Sequence, residues 1–196
     1  MKRDIILAGV GGQGMLSIAA AIGYAALSEK LYIKQSEVHG MSQRGGEVQA
    51  HLRLSSEPIS SDLIPEGKAD MIISMEPMEA LRYVPFLSTE GWIISNENPY
   101  LNISNYPSID LVKNTILDFP HHRLMDADGL ARKAGSAQSS NIVLLGAAID
   151  LLGIKTSSIK NAIQHLFEKK GRKILDTNMR ALDSGIKLVK AELSHA

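Results

Sequence analysis

Cysteine is absent from all 196 residues. The chain therefore offers no disulfide, no thiolate for zinc or an iron–sulfur cluster, and no cysteine nucleophile. A surplus of charge is absent too, since 21 Lys and Arg face 21 Asp and Glu. Bulk electrostatics then gives no hold on nucleic acid or on an anionic membrane. A net charge near zero instead suits a subunit that associates. No long apolar run is present. Residues 5–28 carry no charge and follow Met1-Lys2-Arg3, but Gly9, Gly11, Gly12 and Gly14 interrupt them. A secretory core and a spanning helix both need continuous apolar sequence. A buried strand, a turn and a buried helix account for the stretch, so a cytoplasmic protein is expected. Two catalytic signatures are also missing. There is no G-x-S-x-G elbow, and Gly14 is not followed by the Lys-Ser/Thr of a P-loop.

What is present suits one soluble domain spanning residues 1–196. Apolar residues make up 44% and charged residues 21%, enough to bury a core without staples. Strands are expected at 3–8, 31–35, 48–55, 69–74, 91–95 and 121–126. Helices are expected at 15–28, 77–85, 128–134, 140–152, 156–169 and 176–193, with Thr156 and Asp176 as N-caps. Residues 110–118 fit either a helix or a strand. In 48–55, Val48, Ala50, Leu52 and Leu54 alternate with Gln49, His51, Arg53 and Ser55. That period of two indicates an antiparallel or edge strand with one solvated face. Alternating strands and helices point to a three-layer α/β/α, Rossmann-like fold with a mostly parallel mixed sheet.

Two segments could carry chemistry. Gly9-Val10-Gly11-Gly12-Gln13-Gly14 is a G-x-G-x-x-G directly after a strand and before a helix. Glycines let the backbone turn and approach a ligand, and a helix N-terminus offers unpaired N–H groups to a phosphate. Both cofactor binding and a bare tight turn fit this pattern. Gln13 is unusual there, and its side chain is expected to project from the carboxyl edge of the sheet. The second segment is 36–46, SEVHGMSQRGG, expected as an irregular loop at the same edge. In open α/β sheets that edge binds ligands. Ser36, Glu37, His39, Gln43 and Arg44 are its candidate substrate or cleft residues, with Arg44 placed for a carboxylate or phosphate. His121 and His122 are adjacent and face opposite sides of a strand, so no metal site is expected there. The run Lys169-Lys170-Gly171-Arg172-Lys173 reads as a solvated turn, a partner contact or an anion site.

Together these segments resemble the gamma subunit or domain of 2-oxoacid:ferredoxin oxidoreductases. Asn141-Ile142-Val143-Leu144-Leu145-Gly146-Ala147, and Asn178, Ala181, Leu182 and Gly185, match the same pattern in the same order. The form Glu37-Val38-His39-Gly40-Met41-x-Gln43-Arg44-Gly45-Gly46 is similar to the small subunits of the indolepyruvate enzymes. Pyruvate and 2-oxoglutarate enzymes tend to carry Tyr-Gly-Pro-Glu-Met-Arg-Gly-Gly instead. The resemblance implies oxidative decarboxylation of a 2-oxoacid, with coenzyme A as co-substrate and ferredoxin as electron acceptor. It implies a large partner carrying thiamine diphosphate and iron–sulfur clusters, with no cofactor tightly bound in this chain and no activity of the chain alone. It assigns no catalytic residue here. Isolated, the chain could pair with itself through the face meant for its partner. The alternative is a free-standing NAD(P)- or FAD-binding Rossmann oxidoreductase, with Gly9, Gly11 and Gly14 at the diphosphate and Glu37 at the ribose.

Overall fold

The computed structural model describes residues 1–39, 46–101 and 104–194. Six strands form one sheet in the order β2-β3-β1-β4-β5-β6. They are β1 (Lys2–Val10), β2 (Tyr32–His39), β3 (Glu47–Ser55), β4 (Ala69–Ser74), β5 (Leu87–Asn96) and β6 (His122–Met125). β1, β4, β5 and β6 run parallel, and β3 is antiparallel to both of its neighbours. β3 is therefore an interior strand, and β2 and β6 are the edges.

Helices cover both faces. α1 (Met15–Ser28), α4 (Ala127–Ala134), α5 (Ser140–Ala148), α6 (Thr156–Phe167) and α7 (Arg172–Leu193) share one core with Ile5, Leu7, Leu52 and Ile73. α2 (Pro77–Arg82) and α3 (Ile109–Leu117) cover the other face, where Ile6, Ala8, Ile72 and Ile93 are buried. This is the expected three-layer arrangement. Residues 110–118 resolve as helix because the Ser108 side chain accepts from Leu111 N and caps it.

Three expectations are corrected. Ser36–His39 belongs to β2 rather than to a loop, because β3 supplies a ladder for each of these residues. α7 begins at Arg172, so Asp176 lies one turn inside it and pairs with Arg172 at 3.0 Å. Thr156 opens α6 after Lys155, without a side-chain cap. The polar face of β3 is not solvated. Residues 57–65 fold over it, with Arg53 donating to the Ser61 and Leu63 carbonyls at 3.0 and 2.9 Å. Arg53 also grips Asp4, 1% exposed, through both carboxylate oxygens at 2.8 and 3.0 Å.

His51 on the same face is buried, and its Nδ1 accepts from Ile64 N at 3.0 Å. Burial, then the Arg53 charge, holds its pKa below the ordinary histidine value. The unfolded chain then takes up this proton first as pH falls. Stability is complete above the unfolded value of about 6.5 and is lost progressively below it. Unfolding free energy measured by denaturant from pH 7.5 to 5 should fall more steeply for the natural chain than for His51→Gln. Equal slopes would exclude His51 as the cause.

Candidate functional site

The glycine turn closes on itself. Gly11 N donates to Gly46 O at 2.8 Å, and Gln13 N donates to Val10 O at 3.1 Å. The Gln13 side chain folds back rather than projecting outward, and its Oε1 accepts from Val10 N at 2.7 Å. A β-carbon at Gly9 would sit 2.9 Å from that oxygen, so Gly9 leaves room for the Gln13 side chain. Gly12 and Gly14 have φ of 98° and 80°, the left-handed region that favours glycine. At Gly12 nothing lies within 4 Å of an added β-carbon, so a substitution there acts through backbone conformation and not by steric block.

Gly14 is the N-cap of α1, whose first turn has no side-chain cap and no acidic residue. The fold orients this helix end through Asn141 at the start of α5. Asn141 Nδ2 donates to Gly14 O, and its Oδ1 accepts from Ile142 N, both at 2.9 Å. Asn141→Ala should cost about 1–3 kcal/mol, because one buried and one half-buried partner lose a hydrogen bond. Equilibrium denaturation measures this, and a change within about 0.5 kcal/mol would show the tie to be idle. α5 is in turn fixed on α7 by two glycines that face each other. A β-carbon on Gly146 would strike Leu182 O, and one on Gly185 would strike Val143 O.

These elements enclose a cleft of about 760 Å³ at the carboxyl edge of the sheet. Gly12, Gln13, Gly14 and Ser17 form one wall. Residues 135–141 form the second, and Lys170, Lys173, Thr177 and Asn178 the third. Ser139 is 3% exposed, yet among the described residues its hydroxyl has no hydrogen-bond partner. Asp128 lines the cleft as a carboxylate held by neutral donors. It accepts from the Ser140 hydroxyl and from the Asn96 and Asn98 amides. Beside it, Asp126 caps α4 by accepting from Gly129 N at 2.8 Å. That bond, the Asn98 amide, and Arg132 and Lys133 outweigh partial burial and hold its pKa down.

The same edge carries a buried carboxylate outside the cleft. Glu76 accepts from Glu79 N at 2.8 Å, from Tyr100 N at 3.3 Å and from the Tyr106 hydroxyl at 2.5 Å. Burial and the Glu76 carboxylate push the Tyr106 phenol up, so it stays a proton donor.

The glycine segment thus meets the cleft through Gly12, Gln13 and Gly14, while Gly9 and Gly11 shape the turn. Ser36 and Glu37 do not reach it. They sit on β2, with β3 between them and β1, roughly 9–10 Å away at ordinary strand spacing. Glu37 is therefore not where a ribose ligand would stand in a Rossmann unit. His39 ends β2, and Gln43 and Arg44 lie outside the described residues. His121 stacks on Trp92 with ring centroids 5.2 Å apart, and His122 Nδ1 contacts Phe119 O at 2.7 Å, so the two diverge. Ser139, Thr177 and Asp128 carried no local sequence signal. Lys170 and Lys173 resolve as cleft residues rather than as a turn facing only solvent.

A three-layer α/β fold with a cleft between a glycine turn and two packed helices defines a broad class of α/β domains. Comparison with known proteins narrows that class. The sequence profile of the pyruvate ferredoxin/flavodoxin oxidoreductase family matches residues 4–188, and the chain belongs to that family. It is 36% identical to the indolepyruvate oxidoreductase subunit IorB of Pyrococcus horikoshii, over 98% of both chains. It is 38% identical to the same subunit of Thermococcus kodakarensis, again over 98% of both. Two solved structures share the fold. One is a 2-oxoglutarate:ferredoxin oxidoreductase from Magnetococcus marinus with 2-oxoglutarate, coenzyme A and succinyl-CoA bound. Its TM-score is 0.77 and identity 22%, covering 97% of this chain and 31% of that one. The other is the pyruvate oxidoreductase subunit PORC of Thermotoga maritima. Its TM-score is 0.73 and identity 21%, covering 95% of this chain and 96% of that one. Among the described residues, no helix is long and apolar enough to cross a membrane.

Proposed function

We propose that the chain is the small, gamma-type subunit of a cytoplasmic, thiamine-diphosphate-dependent 2-oxoacid:ferredoxin oxidoreductase of the arylpyruvate type. The overall reaction takes a 2-oxoacid, coenzyme A and two oxidised ferredoxins. It yields an acyl-CoA, carbon dioxide, two reduced ferredoxins and a proton. Thiamine diphosphate and the iron–sulfur clusters, on the large partner, supply the carbanion and electron chemistry. With no cysteine among 196 residues, this chain has no thiolate for a cluster. Full-length similarity to indolepyruvate oxidoreductase subunits supports the arylpyruvate assignment.

The role of this chain is to bind and orient the acyl acceptor. One observation carries that reading: the cleft joins an uncapped helix N-terminus to Ser139, a residue 3% exposed whose hydroxyl makes no cap bond. Unpaired N–H groups at a helix start, backed by its dipole, favour a phosphate. A coenzyme A phosphate docked at Gly12–Gly14 would take those donors together with the Ser139 hydroxyl. Arg44 and Gln43, in the segment that follows β2, are proposed to meet a carboxylate or phosphate where the two subunits join. The displaced Glu37 counts against the NAD(P) or FAD reading, which needs that carboxylate beside the turn.

The reading is tested by purifying the complex through a tag on this chain. A large thiamine-dependent chain should co-purify, and stripping the small chain should abolish ferredoxin reduction until it is restored. A large chain fully active alone, or NAD(P) or FAD held by this chain, would contradict it.

A further inference from the structure

The cleft holds a second cationic feature that the helix end does not explain. Lys170 and Lys173 both stand on its wall, at the turn between α6 and α7. Gly171 between them has φ of 101°, a conformation that lets the chain reverse there. Neither lysine has an ion-pair partner among the described residues. Arg172, also between them, is engaged outside the cleft wall by Asp176 at 3.0 Å. Asp128, the one carboxylate among the described residues lining the cleft, already accepts from three neutral donors. Two lysines therefore line the cavity without a neutralising anion, Lys170 with its Nζ 5.0 Å from the ring centre of Phe167, itself a lining residue. Ile174 lies beside them on the same wall and is 44% exposed. An apolar surface open to water on the same wall as two cations suits the face of a nucleobase whose sugar carries an anionic group.

We propose that Lys170 and Lys173 form a second anion subsite, separate from the α1 N-terminus, that reads the phosphate on the ribose of the acyl acceptor. The ligand class is a nucleotide with two separated phosphate groups, one at the helix end and one at the lysine pair, with its base against Ile174. This rests on the reading that the cleft receives coenzyme A and adds that its ribose 3′-phosphate is selected. The uncapped helix start and the Ser139 hydroxyl hold the first phosphate. A volume of about 760 Å³ lies within the range that holds a ligand of this size. Ammonium groups act on phosphate as point charges, so both lysines can follow one phosphate without a fixed fork.

The experiment uses the complex purified through this chain, with coenzyme A and 3′-dephospho-coenzyme A as alternative acceptors. The natural complex should show a KM about tenfold lower for coenzyme A, with similar kcat. Lys170→Gln with Lys173→Gln should raise the KM for coenzyme A by about that factor and leave that for the dephospho form unchanged. The melting temperature of the double variant should fall only slightly, since both lysines are exposed and neither is ion-paired, while Lys170 gives up its place over the Phe167 ring, 5.0 Å from the ring centre. Equal KM values in the natural complex would overturn the proposal. So would a double variant that keeps the preference, or one that raises both KM values alike. In each of those cases saturable use of both acceptors leaves the coenzyme A reading standing. Ferredoxin reduction that ignores either acceptor would remove that reading, and the proposal with it.

Discussion

Gly185→Val should destabilise the chain by at least about 3 kcal/mol, a large share of the 5–15 kcal/mol that holds a domain together. The reason is the α5–α7 crossing. A β-carbon at Gly185 meets Val143 O and, at 2.8 Å, Ala147 N, which are helix backbone and cannot rotate away. The helices would have to separate, opening the packing of Ala147, Ala181 and Leu182, all fully buried. Gly67→Ala supplies the comparison. Its φ is 68° but nothing lies within 4 Å, so only backbone strain of about 1–2 kcal/mol is expected. Urea titration of both variants measures the difference. Similar midpoints would show that the crossing tolerates a side chain.

Gly14→Val should act on binding more than on folding. Its φ of 80° disfavours a branched side chain, and a β-carbon would lie 2.7 Å from Asn141 Nδ2. The hydrogen bond that aims the start of α1 into the cleft must then break or shift. A displacement of even 1 Å at a positioned site costs on the order of a hundredfold in rate. The KM for coenzyme A in the reconstituted complex should rise at least about tenfold. Stability should fall by only about 1–3 kcal/mol. Gly12→Val, with no collision, should show the strain and a smaller change in KM. An unchanged KM in Gly14→Val would mean that the α1 N-terminus does not touch the acceptor.

The glycine turn was legible because it is punctuated locally. A β-branched run, four glycines in six residues and an alanine-rich helix leave one local solution, and α1 falls at Met15–Ser28 as expected. β4 falls at Ala69–Ser74 for the same reason. β3 was misread through a tertiary contact. Gln49, His51 and Arg53 alternate as a solvated face would, but residues 57–65 supply partners to His51 and Arg53. The position of β3 between β1 and β2 was also hidden, since period two marks an antiparallel strand without saying where it pairs. That position moves Glu37 away from the turn.

The cleft itself was half legible. Gly12 and Gly14 announce one wall, while Ser139 and Thr177 lie more than a hundred residues further along with no spacing that links them to it. Gly146 and Gly185 were visible as motif members. Their purpose is a mutual close approach that only the crossing of α5 and α7 reveals. Lys170 and Lys173 read as a solvated turn, a partner contact or an anion site, because a basic run does not say which cavity it borders.

The arylpyruvate:coenzyme A assignment is tested most directly by one kinetic comparison. The complex purified through this chain would be supplied with indolepyruvate, pyruvate or 2-oxoglutarate, and ferredoxin reduction followed with and without coenzyme A. Reduction should be fastest, as kcat/KM, with indolepyruvate, should require coenzyme A, and should form the matching acyl-CoA. A higher kcat/KM with pyruvate or 2-oxoglutarate, or turnover that does not need coenzyme A, would contradict it.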